Sequence, residues 1–96
     1  MDSERRSAPR YPVALEIGVN SSTGVTMNMS SSGVYFVTEH VLAPDQQVAL
    51  VFPFEHAAPT GTRAACSARV LRVESRSPGY GIAATYEAIT FQLPLS

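Results

Sequence analysis

From Pro12 onward apolar and polar positions alternate: Val13, Leu15, Ile17 and Val19 fall on one face, and Ala14, Glu16 and Gly18 on the other. A period of two is the mark of a half-buried strand. Asn20 to Gly24 ("NSSTG") is turn chemistry, and Val25 and Met27 carry a second strand. Val34 to Thr38 ("VYFVT"), rich in β-branched and aromatic residues, predicts a third. A fourth runs from Val48 to Phe54, with Pro53 suited to its end. Arg63 to Ser75 is long enough for a curved fifth strand, with Arg69, Leu71 and Val73 on the face opposite to Val70 and Arg72. Ile82 to Phe91 supplies a sixth, although Ala83, Ala84, Ala88 and Ile89 also fit a short helical turn. Six short strands separated by polar turns predict an all-β barrel or sandwich.

Composition narrows the picture. The chain has 96 residues, enough for one modest core, and 45% are hydrophobic against 16% charged. A formal net charge of −1 argues against bulk capture of DNA or RNA. Only four Tyr and four Phe are available to a single-strand binding groove, which would need interleaved aromatics. Cys66 is the single cysteine, which excludes an internal disulfide and fits a reducing compartment. The polar start "MDSERRSAPRYPV" offers neither a signal peptide nor a membrane span, so the expectation is a cytoplasmic chain or a cytoplasmic piece of a longer one.

All seven cationic residues are arginines, and three of them cluster in the first ten positions. Within and just after "RRSAPR", Pro9 and Pro12 disfavour a helix. An extended chain sets Arg6 and Arg10 roughly 12–13 Å apart, against about 6 Å on a helix. At that separation two guanidinium groups can grip two ends of one ligand, and arginine suits phosphate and guanine edges.

Between the second and third strands stands "NMSSSG", Asn28 to Gly33. Asn28 brings an amide, Ser30 a rotatable hydroxyl, and Gly33 a backbone that permits positive φ or close approach. Such a turn can cup an anion; a bulged hairpin loop would use the same residues.

Taken together, Arg-x-x-x-Arg ahead of the first strand and Asn-x-Ser-x-x-Gly between the second and third resemble the PilZ domain family. The later "SARVLRVES" and "YGIAATY" look like that family's fifth and sixth strands. The resemblance implies a six-stranded antiparallel β-barrel, with a C-terminal helix short or absent because "AITFQLPLS" is too brief for one. It implies a domain at 11–96 preceded by a flexible arginine arm at 1–10. It further implies binding of cyclic di-GMP as ligand, with no catalysis and no cofactor, and a downstream protein that reads out the bound state. The family's arginine pair falls on Arg6 and Arg10, and its turn motif on Asn28, Ser30 and Gly33. Arg5, just ahead of the pair, implies an added cation and an intercalated dimer of the ligand. A module that binds only proteins is the alternative, and missing motif residues would be its sign. None is missing.

The other chemistry-bearing residues read as structural. His40 and His56 have no third ligand at metal spacing, and Cys66 has no matched base. "GYGIAA" precedes a strand instead of opening a helix, so it is no dinucleotide fingerprint.

Overall fold

The computed structural model describes residues 11–53 and 63–92. Six antiparallel strands, β1 (Glu16–Val19), β2 (Ser22–Met29), β3 (Gly33–Thr38), β4 (Gln47–Pro53), β5 (Arg63–Arg76) and β6 (Gly79–Gln92), close into a barrel in the order β1-β2-β3-β6-β5-β4. Closure is made by β1 against β4 at Gly18↔Val51 and Val19↔Leu50. A closed barrel leaves no sheet edge to aggregate, and that suits a chain of this size. No helix occurs among the described residues.

The interior is filled from all six strands. Ile17 and Val19, Val34 and Phe36, Val48 and Leu50, Val70 and Ile82 are all less than 3% exposed. Full burial of one such side chain is worth about 1.5–3 kcal/mol, so the core is a small set of high-value contacts. Cys66 belongs to this core, and burial pushes its thiol above the ordinary range. It is packing material. The Tyr86 phenol, edge-on to Phe52 at 6.2 Å, is likewise pushed up to about 12 by burial.

Three local expectations are corrected. Ala83, Ala84, Ala88 and Ile89 form no helical turn: they lie in β6, paired along β5 at Arg72, Val70, Ser67 and Cys66. The ladder with β5 supplies the backbone partners a helical turn would otherwise have to provide. Along β5 the simple alternation fails after Val70. A register shift between Val70 and Arg72 makes Leu71 an extra residue, so Val70 and Val73 face the core and Arg72 turns outward with Leu71 exposed. A bulge has this effect because one strand carries two residues opposite one. The first strand is also shorter than its apolar alternation: Val13 and Leu15 precede β1.

In β2 the inward residues are Gly24 and Thr26, while Val25 and Met27 are 41% and 43% exposed. Thr26 is fully buried. Its hydroxyl donates to the Val13 carbonyl and accepts from the Leu15 N–H at 2.9 Å, and its own N–H donates to the Leu15 carbonyl at 2.9 Å. One threonine thereby ties the segment ahead of β1 to the barrel wall.

Thr26→Val keeps shape and burial but strands a buried donor and acceptor, which costs about 1–3 kcal/mol for each group left unpaired. Urea unfolding of Thr26→Val against Thr26→Ser reads this directly. Serine is expected to retain more stability than valine; equal stability of valine and the parent would contradict the role given to the hydroxyl.

Candidate functional site

Asn28 and Met29 close β2, and Ser30, Ser31 and Ser32 connect it to Gly33 at the start of β3. The Ser30 hydroxyl accepts the N–H groups of Ser32 and Gly33, each at 3.2 Å, while the Ser30 N–H donates to the Gly33 carbonyl at 2.9 Å. Ser32 presents its carbonyl to the Tyr86 N–H at 3.0 Å and the Thr85 hydroxyl at 3.1 Å, which straps the turn to β6. Gly33 is required for close approach, not for a left-handed backbone. A Cβ there would stand 2.5 Å from the Ala84 carbonyl oxygen. Among the described residues the left-handed positions are Asn20 and Asp45, in other turns.

Asn28 reaches its place through a second bulge. The β2–β3 register shifts between Thr26 and Asn28, so Met27 is the extra residue and Asn28 pairs with Tyr35 on the outer face. Thr26 faces in and Asn28 faces out on either side of that irregularity.

Tyr11 forms an isolated antiparallel bridge with Met29: its N–H donates to the Met29 carbonyl at 2.8 Å, and the Met29 N–H returns to the Tyr11 carbonyl at 2.9 Å. Met29 sits between Asn28 and Ser30 in the motif. The chain therefore enters the barrel at the serine turn itself. Arg5, Arg6 and Arg10 lie outside the described residues.

The outer face beside the turn has a layout that sequence spacing hid. Asn28 pairs with Tyr35, Tyr35 with Ala83, and Ala83 with Arg72, giving one row across β2, β3, β6 and β5. The Tyr35 hydroxyl donates to Glu74 Oε1 at 3.0 Å, and Arg72 Nε donates to Glu74 Oε2 at 2.9 Å. Gly81 makes this crossing possible, because a Cβ there would collide with the Tyr35 hydroxyl. Val34, in contrast, is plain core at 1% exposure. The signals for Tyr35 and Glu74 in the sequence were one aromatic next to the motif and a glycine in a strand. The partner could not be named until the register was known.

A cleft of about 530 Å³ occupies the opposite end of β2 and β3, with Val25, Met27 and Val37 among its lining and His40, Arg76 and Tyr80 around it. Asn28, Ser30 and Gly33 do not line it. Among the described residues no group of three or more His, Cys, Asp or Glu is placed to hold a metal, and no helix is long and apolar enough to cross a membrane.

Comparison with known proteins agrees with this architecture. The family model for the PilZ domain matches residues 3–95. Among solved structures, the Bacillus subtilis inhibitor of motility (MotI/DgrA) superposes with a TM-score of 0.73 at 16% identity, over 90% of this chain and 44% of that one. The chain thus spans under half the length of that protein. Among curated proteins none matches the sequence.

The Glu74 carboxyl is held below its ordinary range, first by the Tyr35 hydroxyl and then by Arg72. A depressed folded value means that any stability from these contacts is present above the unfolded value, about 4.3, and is lost as pH falls through the folded one. Tyr35→Phe removes the leading cause, so a carbon-detected NMR titration is expected to show the Glu74 midpoint rising in that variant. An unmoved midpoint would contradict the contact.

Proposed function

The chain belongs to the PilZ domain family, and from that premise we propose that it is a non-enzymatic sensor of cyclic di-GMP. The observation that carries this reading is the Tyr11–Met29 bridge, which roots the arginine-bearing segment at the Asn28–Gly33 turn. Tyr11, which follows Arg10 in sequence, is thereby held next to a turn far from it along the chain.

The division of labour follows from donor chemistry. Arg6 and Arg10 supply planar, charge-assisted donors for phosphate oxygens and for guanine O6 and N7. Asn28 offers an amide to the remaining polar edge of a base, and Ser30 a hydroxyl at a turn whose backbone donors it already organises. Gly33 holds the turn against β6, so the ligand meets a preformed wall on one side. On the other side the arm orders around the nucleotide. Occupancy then becomes a change of surface at positions 1–10 that a downstream protein reads.

Arg5 adds a cation next to the pair, and two stacked nucleotides per chain is the stoichiometry it favours. A diffusible nucleotide ligand and a single buried thiol fit a cytoplasmic location. All motif residues are present, which favours this reading over a module that binds proteins alone.

Isothermal titration with cyclic di-GMP is expected to show saturable binding by the parent. Arg6→Ala and Arg10→Ala are each expected to weaken it by roughly five- to over a hundredfold, the equivalent of about 1–3 kcal/mol for a bidentate contact. Both variants binding like the parent would remove the arm from the site.

A further inference from the structure

We propose that Arg72 is a third guanine-reading arginine, supplied by the barrel wall instead of the arm. The inference rests on the cyclic di-GMP reading above and adds the residue that selects guanine over adenine from the barrel side.

Three observations converge on it. The first is position. Asn28, Tyr35, Ala83 and Arg72 occupy one cross-strand row, so Arg72 shares the outer face with the motif asparagine. Strands about 4.8 Å apart place the ends of that row roughly 14 Å from each other. Tyr35 and the short Ala83 lie between them, forming a floor flanked by polar groups.

The second is that Arg72 is turned outward by a specific backbone device. Without the extra residue at Leu71, alternation would put Arg72 on the face of Val70, which is core. Bulges that re-aim a side chain are common beside binding sites.

The third is the state of its guanidinium. Glu74 engages it through Nε at 2.9 Å, and the side chain remains 61% exposed. Glu74 is itself held by Tyr35 at 3.0 Å. Among the described residues the hydrogen bonds of Arg72 use Nε, so the Nη1/Nη2 edge is the part aimed away from the carboxylate. That edge can donate two parallel bonds to O6 and N7 of guanine; adenine presents an amino donor in place of O6. Arg69 differs, because Glu87 holds its Nε at 2.7 Å and the Asp45 carbonyl its Nη1 at 2.8 Å. Arg63 sits at the far end of β5, paired with Pro53.

The test titrates the parent, Arg72→Ala, Arg72→Lys and Arg63→Ala with cyclic di-GMP and cyclic di-AMP. The expected result is a loss of about tenfold or more in cyclic di-GMP affinity for Arg72→Ala, with a reduced preference for guanine. Arg72→Lys is expected to stay weak, since a point charge lacks the planar fork. Arg63→Ala is expected to bind like the parent. Arg72 is exposed, so unchanged thermal unfolding is expected to show that the variant folds. If the parent binds and Arg72→Ala stays within twofold of it, or if Arg63→Ala falls equally, the inference is overturned while the sensor reading stands. If the parent binds neither nucleotide, both fall together.

Discussion

The five residues ahead of β1, Tyr11 to Leu15, are fastened to β2 at two places. At one end Tyr11 and Met29 exchange backbone hydrogen bonds; at the other the buried Thr26 hydroxyl joins Val13 and Leu15. Neither contact is large in energy, about 0.5–1.5 kcal/mol for an ordinary hydrogen bond. Their weight lies in geometry. They fix Tyr11, the residue that follows Arg10 in sequence, beside the serine turn.

The bulges do the complementary work on the barrel side. One at Met27 brings Asn28 to the outer face, and one at Leu71 brings Arg72 there. Gly81 removes the side chain that would block Tyr35 from reaching Glu74. The same outer wall thus acquires an amide, an aromatic ring, a carboxylate and a guanidinium, while the buried side chains among the described residues are apolar apart from Thr26 and Thr38. A barrel can afford such irregularities because its hydrogen-bond ladder closes on itself and no edge is lost.

Much of this was legible in the residue pattern. The alternation around Ile17, the β-branched run from Val34 and the long segment from Arg63 all mark real strands, and the turn between β2 and β3 falls where "NMSSSG" stands. The resemblance carried by that turn and the arginine pair named the family that matches residues 3–95. What stayed hidden has a common cause. A bulge leaves no compositional trace, so the facing of Arg72 followed the plain alternation and came out reversed. Thr26 looked like a polar residue between two apolar ones, when the apolar pair faces outward and the threonine is buried. Gly33 was legible as indispensable, but the neighbour that makes it so, the Ala84 carbonyl, is fifty-one positions away in the chain and visible only in the ladder.

The proposed place for the ligand is where the entering chain meets the serine turn. Backbone NMR of the isotopically labelled chain, followed through a cyclic di-GMP titration, locates it residue by residue. The account predicts that the largest shifts fall at Tyr11, across Asn28 to Gly33 and along the row to Arg72. Shifts centred instead on His40 and the Arg76–Tyr80 hairpin around the opposite cleft, with the turn unmoved, would contradict it.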